Sequence, residues 1–124
     1  MAVASKDSSG AGGRLSVRAI EVTDLEDAGL SDVTSGAATV YSLDLDNAAV
    51  GAATYFRMYD SGAPTYGTTD SDILIQVPAN VRQVWTIAQG LSFGTGVSLM
   101  ASSADGPATG TPGAAFNCSF TTTA

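Results

Sequence analysis

Along much of the chain apolar and polar residues alternate one by one, the period of a half-buried β-strand and not of a helix. The cleanest stretch is Val40-Tyr41-Ser42-Leu43-Asp44-Leu45-Asp46-Asn47, in which Tyr41, Leu43 and Leu45 share one face and Ser42, Asp44 and Asp46 the other. A first strand is expected earlier, where Leu15, Val17 and Ala19 alternate with Ser16, Arg18 and Ile20 on the way to Val22. In 52–59 both faces carry bulk, Tyr55, Arg57 and Tyr59 against Thr54, Phe56 and Met58. Such a strand is central or is covered on its second side. The β-branched run 72–77 stops at Pro78-Ala79-Asn80, and 81–87 forms a strand around Trp85, so the two are expected to pair as a hairpin. Gln89-Gly90 should then turn the chain into Leu91-Ser92-Phe93. Gly94 and Gly96 mark a bend before the strand 97–101, and 115–120 supplies the last one.

Turn formers fill the intervals. Residues 24–36 mix Asp24, Glu26, Asp27 and Asp32 with Gly29, Ser31, Ser35 and Gly36, an acidic loop with room for one short helical turn. Pro64 and Gly67 punctuate 61–67, and 102–113 contains Asp105-Gly106-Pro107 and Thr111-Pro112-Gly113. About seven or eight short strands at regular spacing predict an all-β fold, a single β-sandwich that is jelly-roll-like. Residues 1–13 are too small and polar to offset their ordering entropy and are expected to be a flexible N-terminal arm ahead of a sandwich domain at 14–124.

Composition narrows the function. The 124 residues suffice for one core, and with 44% hydrophobic but only 14% charged residues, the chain leans on small uncharged residues, Gly, Ala, Ser and Thr. A net charge of −7 repels phosphate backbones and anionic lipid heads, so neither nucleic acid nor membrane is an expected partner. Of the five basic residues, Lys6, Arg14, Arg18, Arg57 and Arg82, only Arg14 and Arg18 form a loose pair. One cysteine and no histidine exclude an internal disulfide and the usual zinc sets, and no cofactor is expected. Residues 1–13 have no apolar run of signal-peptide length, and no run approaches the roughly 18 residues that span a bilayer, so synthesis in the cytoplasm is expected.

Candidate chemistry is sparse. Asp60-Ser61-Gly62 resembles an aspartic-protease triplet, but without an apolar-Gly support strand it reads as a strand-ending turn. Asp44-Leu45-Asp46-Asn47 opens like a calcium loop, yet Ala49 and Tyr55 stand where that loop needs Gly and Glu. Asp60, Asp70 and Asp72 with Thr68 and Thr69 are the residues from which an irregular oxygen-ligand site would be built. Gly94-Thr95-Gly96 lacks the third glycine and the helix of a dinucleotide fingerprint. No histidine activates a serine or Cys118, which is expected in the core. An enzyme is not expected.

From 56 to about 101, roughly a third of the chain, the sequence resembles a recurrent β-sandwich pattern of small virion proteins of tailed bacteriophages. The resemblance rests on the strand ending at Tyr59-Asp60, on Ala63-Pro64-Thr65-Tyr66-Gly67-Thr68, on Ile73-Leu74-Ile75-Gln76-Val77-Pro78-Ala79, and on Gly90-Leu91-Ser92-Phe93-Gly94-Thr95-Gly96-Val97-Ser98. It implies a capsid cement or decoration protein: a homotrimer on the capsid surface of the virion, made in the host bacterial cytoplasm, that binds the major capsid protein. The alternatives are a tail, baseplate or adhesin component and a glycan-binding module, since jelly rolls also host lectin sites. Tyr66, beside Pro64 and Gly67, is the aromatic expected to face solvent and need a partner, and with Arg14 and Arg18 these make the candidate interface residues. Trp85, Tyr55, Tyr59 and Phe93 are expected mostly in the core.

Overall fold

A computed structural model describes residues 2–7, 17–104 and 110–123. The fold is all-β, a sandwich of two antiparallel sheets, with no helix among the described residues. The strands are β1 (Ala2–Asp7), β2 (Val17–Thr23), β3 (Ala38–Asp46), β4 (Thr54–Asp60), β5 (Ile73–Val77), β6 (Arg82–Phe93), β7 (Val97–Ser102) and β8 (Asn117–Thr123). The larger sheet has the order β1-β2-β8-β3-β6 and the smaller β5-β4-β7. Alternation decides which side chains meet between them: Ile20 and Val22, Cys118 and Phe120, and Leu43 and Leu45 point from the larger sheet toward Phe56, Met58, Val97, Leu99 and Ala101 of the smaller. Phe116, just before β8, lies on Phe56 with ring centroids 6.0 Å apart.

The smaller sheet is also covered behind. The outward residues Arg57, Tyr59 and Met100 are buried, as the bulk on both faces of 52–59 predicts. The loop 24–36 contains turns and a bridge in place of a helical turn. Leu30 and Leu99 exchange both backbone hydrogen bonds, at 2.8 and 2.9 Å, and Val33 N–H donates to the Val97 carbonyl at 2.9 Å. Asp32 helps hold this loop, its carboxylate accepting from Gly36 N–H at 2.8 Å and its own N–H donating to Ser98 Oγ at 3.0 Å.

Four expectations are corrected. β5 and β6 do not form a hairpin, because residues 78–81 carry the chain from the smaller sheet to the larger, where β5 pairs with β4 and β6 with β3. Gln89-Gly90 does not turn the chain: β6 runs through to Phe93, and Gly90, at φ 78°, takes up an irregularity where a Cβ would lie 2.3 Å from Thr39. The register of β3 slips between Val40 and Ser42, which puts Tyr41 outside while Leu43 and Leu45 stay in the core. Within the arm expected at 1–13, Ala2–Asp7 form a strand paired antiparallel to β2, and the remainder lies outside the described residues. The bend at Gly94 and Gly96 lies where the glycines place it, between β6 and β7.

Candidate functional site

The loop expected to present Tyr66 is folded back on the sandwich. The Tyr66 ring stands edge-on to Tyr59 at 5.5 Å and its hydroxyl lies 3.0 Å from Ser31 Oγ. Gly29, at φ 72°, passes beneath the ring, where a Cβ would come within 2.4 Å. Tyr66, Pro64 and Gly67 are therefore half-buried, and the loop closes the back of β4. Arg18 is also half-buried and donates from Nη2 to the Val33 carbonyl at 3.2 Å, tying β2 to the loop 24–36. Arg14 lies outside the described residues.

The polar motifs hold backbone in place. Asp60 sits at the end of β4 and accepts from the N–H groups of Thr95 at 2.8 Å and Gly94 at 3.1 Å. Those bonds hold its carboxyl below the usual carboxylate value. Asp72 accepts from the Asp60 N–H at 2.7 Å. Among the described residues no three His, Cys, Asp or Glu side chains converge as metal ligands. Cys118 faces the core, and burial pushes its thiol up to about 12, far from the thiolate a nucleophile needs.

On the outer face of the larger sheet, neighbouring strands align Glu21, Ser119 and Asp44 in one row and Asn117 and Asp46 in the next. They line a shallow depression of about 190 Å³. Arg82 enters it from β6 and forks onto Asp44 at 2.8 and 2.5 Å, which holds the Asp44 carboxyl below its ordinary value.

A different surface stands out along β5 and β6, the free edges of the two sheets, which the short connection 78–81 keeps on one side of the sandwich. Most core-facing residues of the other strands are almost wholly buried, whereas here Ile73, Ile75, Ile87 and Leu91 are only partly covered. Trp85 is opposite Leu43 in register and so shares its inward face, yet it is 47% exposed because it overhangs the smaller sheet. Leu74 and Val84 add apolar surface on the two outer faces, Val84 at 67% exposure. The side is also neutral: between Asp72 and Asp105 the sole charged residue is Arg82, already matched by Asp44. An open, uncharged, apolar side on a chain of net charge −7 is a surface suited to being covered by protein.

Counting Trp85 as a core residue hides this surface from sequence reasoning, although the charge-free run from 73 to 104, broken by one arginine, points to it. The segments that carry the phage-protein resemblance fall on β4, the loop behind it, β5, the end of β6 and the start of β7. No protein-family model, no curated protein and no solved structure matches the chain.

Proposed function

We propose that the chain is a structural protein of a tailed-phage virion, a cement or decoration protein that binds the major capsid protein lattice and stabilises the head. The observation that carries this reading is the open side along β5 and β6, whose exposed Leu74, Val84 and Trp85 offer contact area without charge. Such a surface fits a protein that works by being covered in an assembly. Asp60, Asp72 and Arg82 are engaged in holding strands and corners, which agrees with a structural role.

The strand order supports a jelly roll as the finer description of the sandwich. With the Leu30 bridge counted as the second of eight strands that begin at β2, the first pairs with the eighth and the second with the seventh. The third pairs with the sixth and the fourth with the fifth. This is one long antiparallel hairpin rolled up into two sheets, the arrangement that small virion proteins share with lectin domains.

A cement protein acts by mass action. Binding only the assembled shell adds about 2.7 kcal/mol per site when the free protein is at a hundredfold excess over Kd. The test is to mix purified protein with phage heads that lack it, sediment the particles, and challenge them with heat or low salt. Stoichiometric co-sedimentation with protection of the shell is expected. Heads that neither bind the protein nor gain resistance would sink the reading and move the address to the tail or to a glycan receptor.

A further inference from the structure

We propose that a second copy of the chain pairs with the free edge of β6 over residues 82–86, about a two-fold axis at Val84, so that two five-stranded sheets become one. The inference rests on the reading that the open side is covered in an assembly, and names what covers its β6 edge.

Among the described residues β6 is hydrogen-bonded to β3 alone. Exposed edges in natural sheets are blunted by Lys, Pro, bulges or inward charges. The irregularity near Gly90 performs that role for the second half of β6, but residues 82–86 keep a continuous register with β3 and contain no Pro or Lys. This half of the strand can still accept a partner, and its side chains suit a copy of itself. A two-fold axis at Val84 sets Val84 against Val84, Gln83 against Trp85 and Arg82 against Thr86, so no like charges meet.

Charge selects the same occupant. A basic partner is drawn to the acid-rich loop 24–36, whereas two copies of net charge −7 approach with least repulsion where carboxylates are absent or matched. The pairing is two-fold and therefore departs from the three-fold assembly that the phage resemblance implies.

The experiment is sedimentation equilibrium on the full chain, with Val84→Lys and Val84→Cys as variants and far-UV circular dichroism as the check on folding. Val84 is mostly solvent-exposed, so either variant should fold. The wild type is expected to dimerise reversibly. Val84→Lys, which opposes two cations across the axis, should raise the dimer Kd at least tenfold with an unchanged spectrum. Under mild oxidation Val84→Cys should give a disulfide-linked dimer far faster than a control cysteine at the exposed Ala49, the native Cys118 being buried. A monomeric wild type, a trimer, or a dimer indifferent to Val84→Lys overturns the pairing. The head-binding assay stands apart: a monomer that binds heads sinks the pairing alone, and a dimer that behaves as expected but ignores heads sinks the capsid reading alone.

Discussion

Replacing Asn47 by Ala is expected to remove a large share of the stability of this domain. The side chain is fully buried at the end of β3 and acts as a hub. Its Nδ2 shares two N–H donors among the carbonyls of Ala52 at 3.1 Å, Val77 at 3.2 Å and Pro78 at 2.9 Å, and its Oδ1 accepts from Thr54 Oγ1 at 2.7 Å. One residue thereby fastens the end of β3 to the start of β4 and to the exit of β5, across both sheets. The bonds to Val77 and from Thr54 are wholly buried, and each buried group left unpaired costs about 1–3 kcal/mol. The other two partners are part-buried and recover some hydration. The loss therefore comes to about 2–6 kcal/mol, against a total of about 5–15 kcal/mol for an ordinary domain. Urea denaturation followed by far-UV circular dichroism measures it, since half-exposed Trp85 is a weak reporter of unfolding. Thr54→Val breaks the same hub from the other side, and a double-mutant cycle should return a coupling of about 0.5–3 kcal/mol. An Asn47→Ala loss under about 1 kcal/mol, or strict additivity with Thr54→Val, would refute the hub.

Three further outcomes follow from the same geometry. Cys118 should resist thiol reagents in the native state and react on unfolding; because its folded pKa is raised, stability should fall as pH rises from the ordinary thiol value of 9.0 toward about 12, a dependence that Cys118→Ala should weaken. For Asp60 the sign is opposite: its lowered carboxyl pKa contributes stability above the ordinary value of 3.8 that is lost as pH falls, so the difference in melting temperature between wild type and Asp60→Asn should shrink in acid, and a constant difference would count against it. Gly29→Ala places a Cβ at φ 72° against the Tyr66 ring, a strain of about 1–2 kcal/mol from the backbone alone. A lower urea midpoint with altered near-UV circular dichroism is expected, and an unaltered near-UV spectrum would show that the ring does not rest there.

Alternation was enough to read the fold class and most of the strands. β4, with bulk on both faces, is the central strand of its sheet, and the bend at Gly94 and Gly96 is where the glycines stand. The misreadings share one physical cause, that local sequence specifies where a strand stops but not which strand it meets. Pro78-Ala79-Asn80 ends β5 equally well whether the chain returns beside it or crosses to the other sheet. At Tyr41 a bulge changes the parity of β3, and alternation counted on one side of a bulge assigns the wrong face on the other. Gly90 announces positive φ, which a turn and a bulge both require. On the open side along β5 and β6, Trp85 is inward in register yet 47% exposed, on a five-stranded sheet that faces one of three strands.

The rolled-up order of the strands also has a kinetic side. β2, near the beginning of the described chain, is held in the larger sheet by β8, about a hundred residues later. No part of β2 can settle against that neighbour until β8 is available, so the larger sheet cannot form progressively behind a moving ribosome. Folding dominated by such distant pairings belongs to the millisecond-to-second range, and during that interval the apolar strands β5 and β6, with Arg82 as their one charge, stand open to strands of other chains. High expression at elevated temperature should therefore favour aggregates held through these two strands, and slower synthesis should favour the native sandwich.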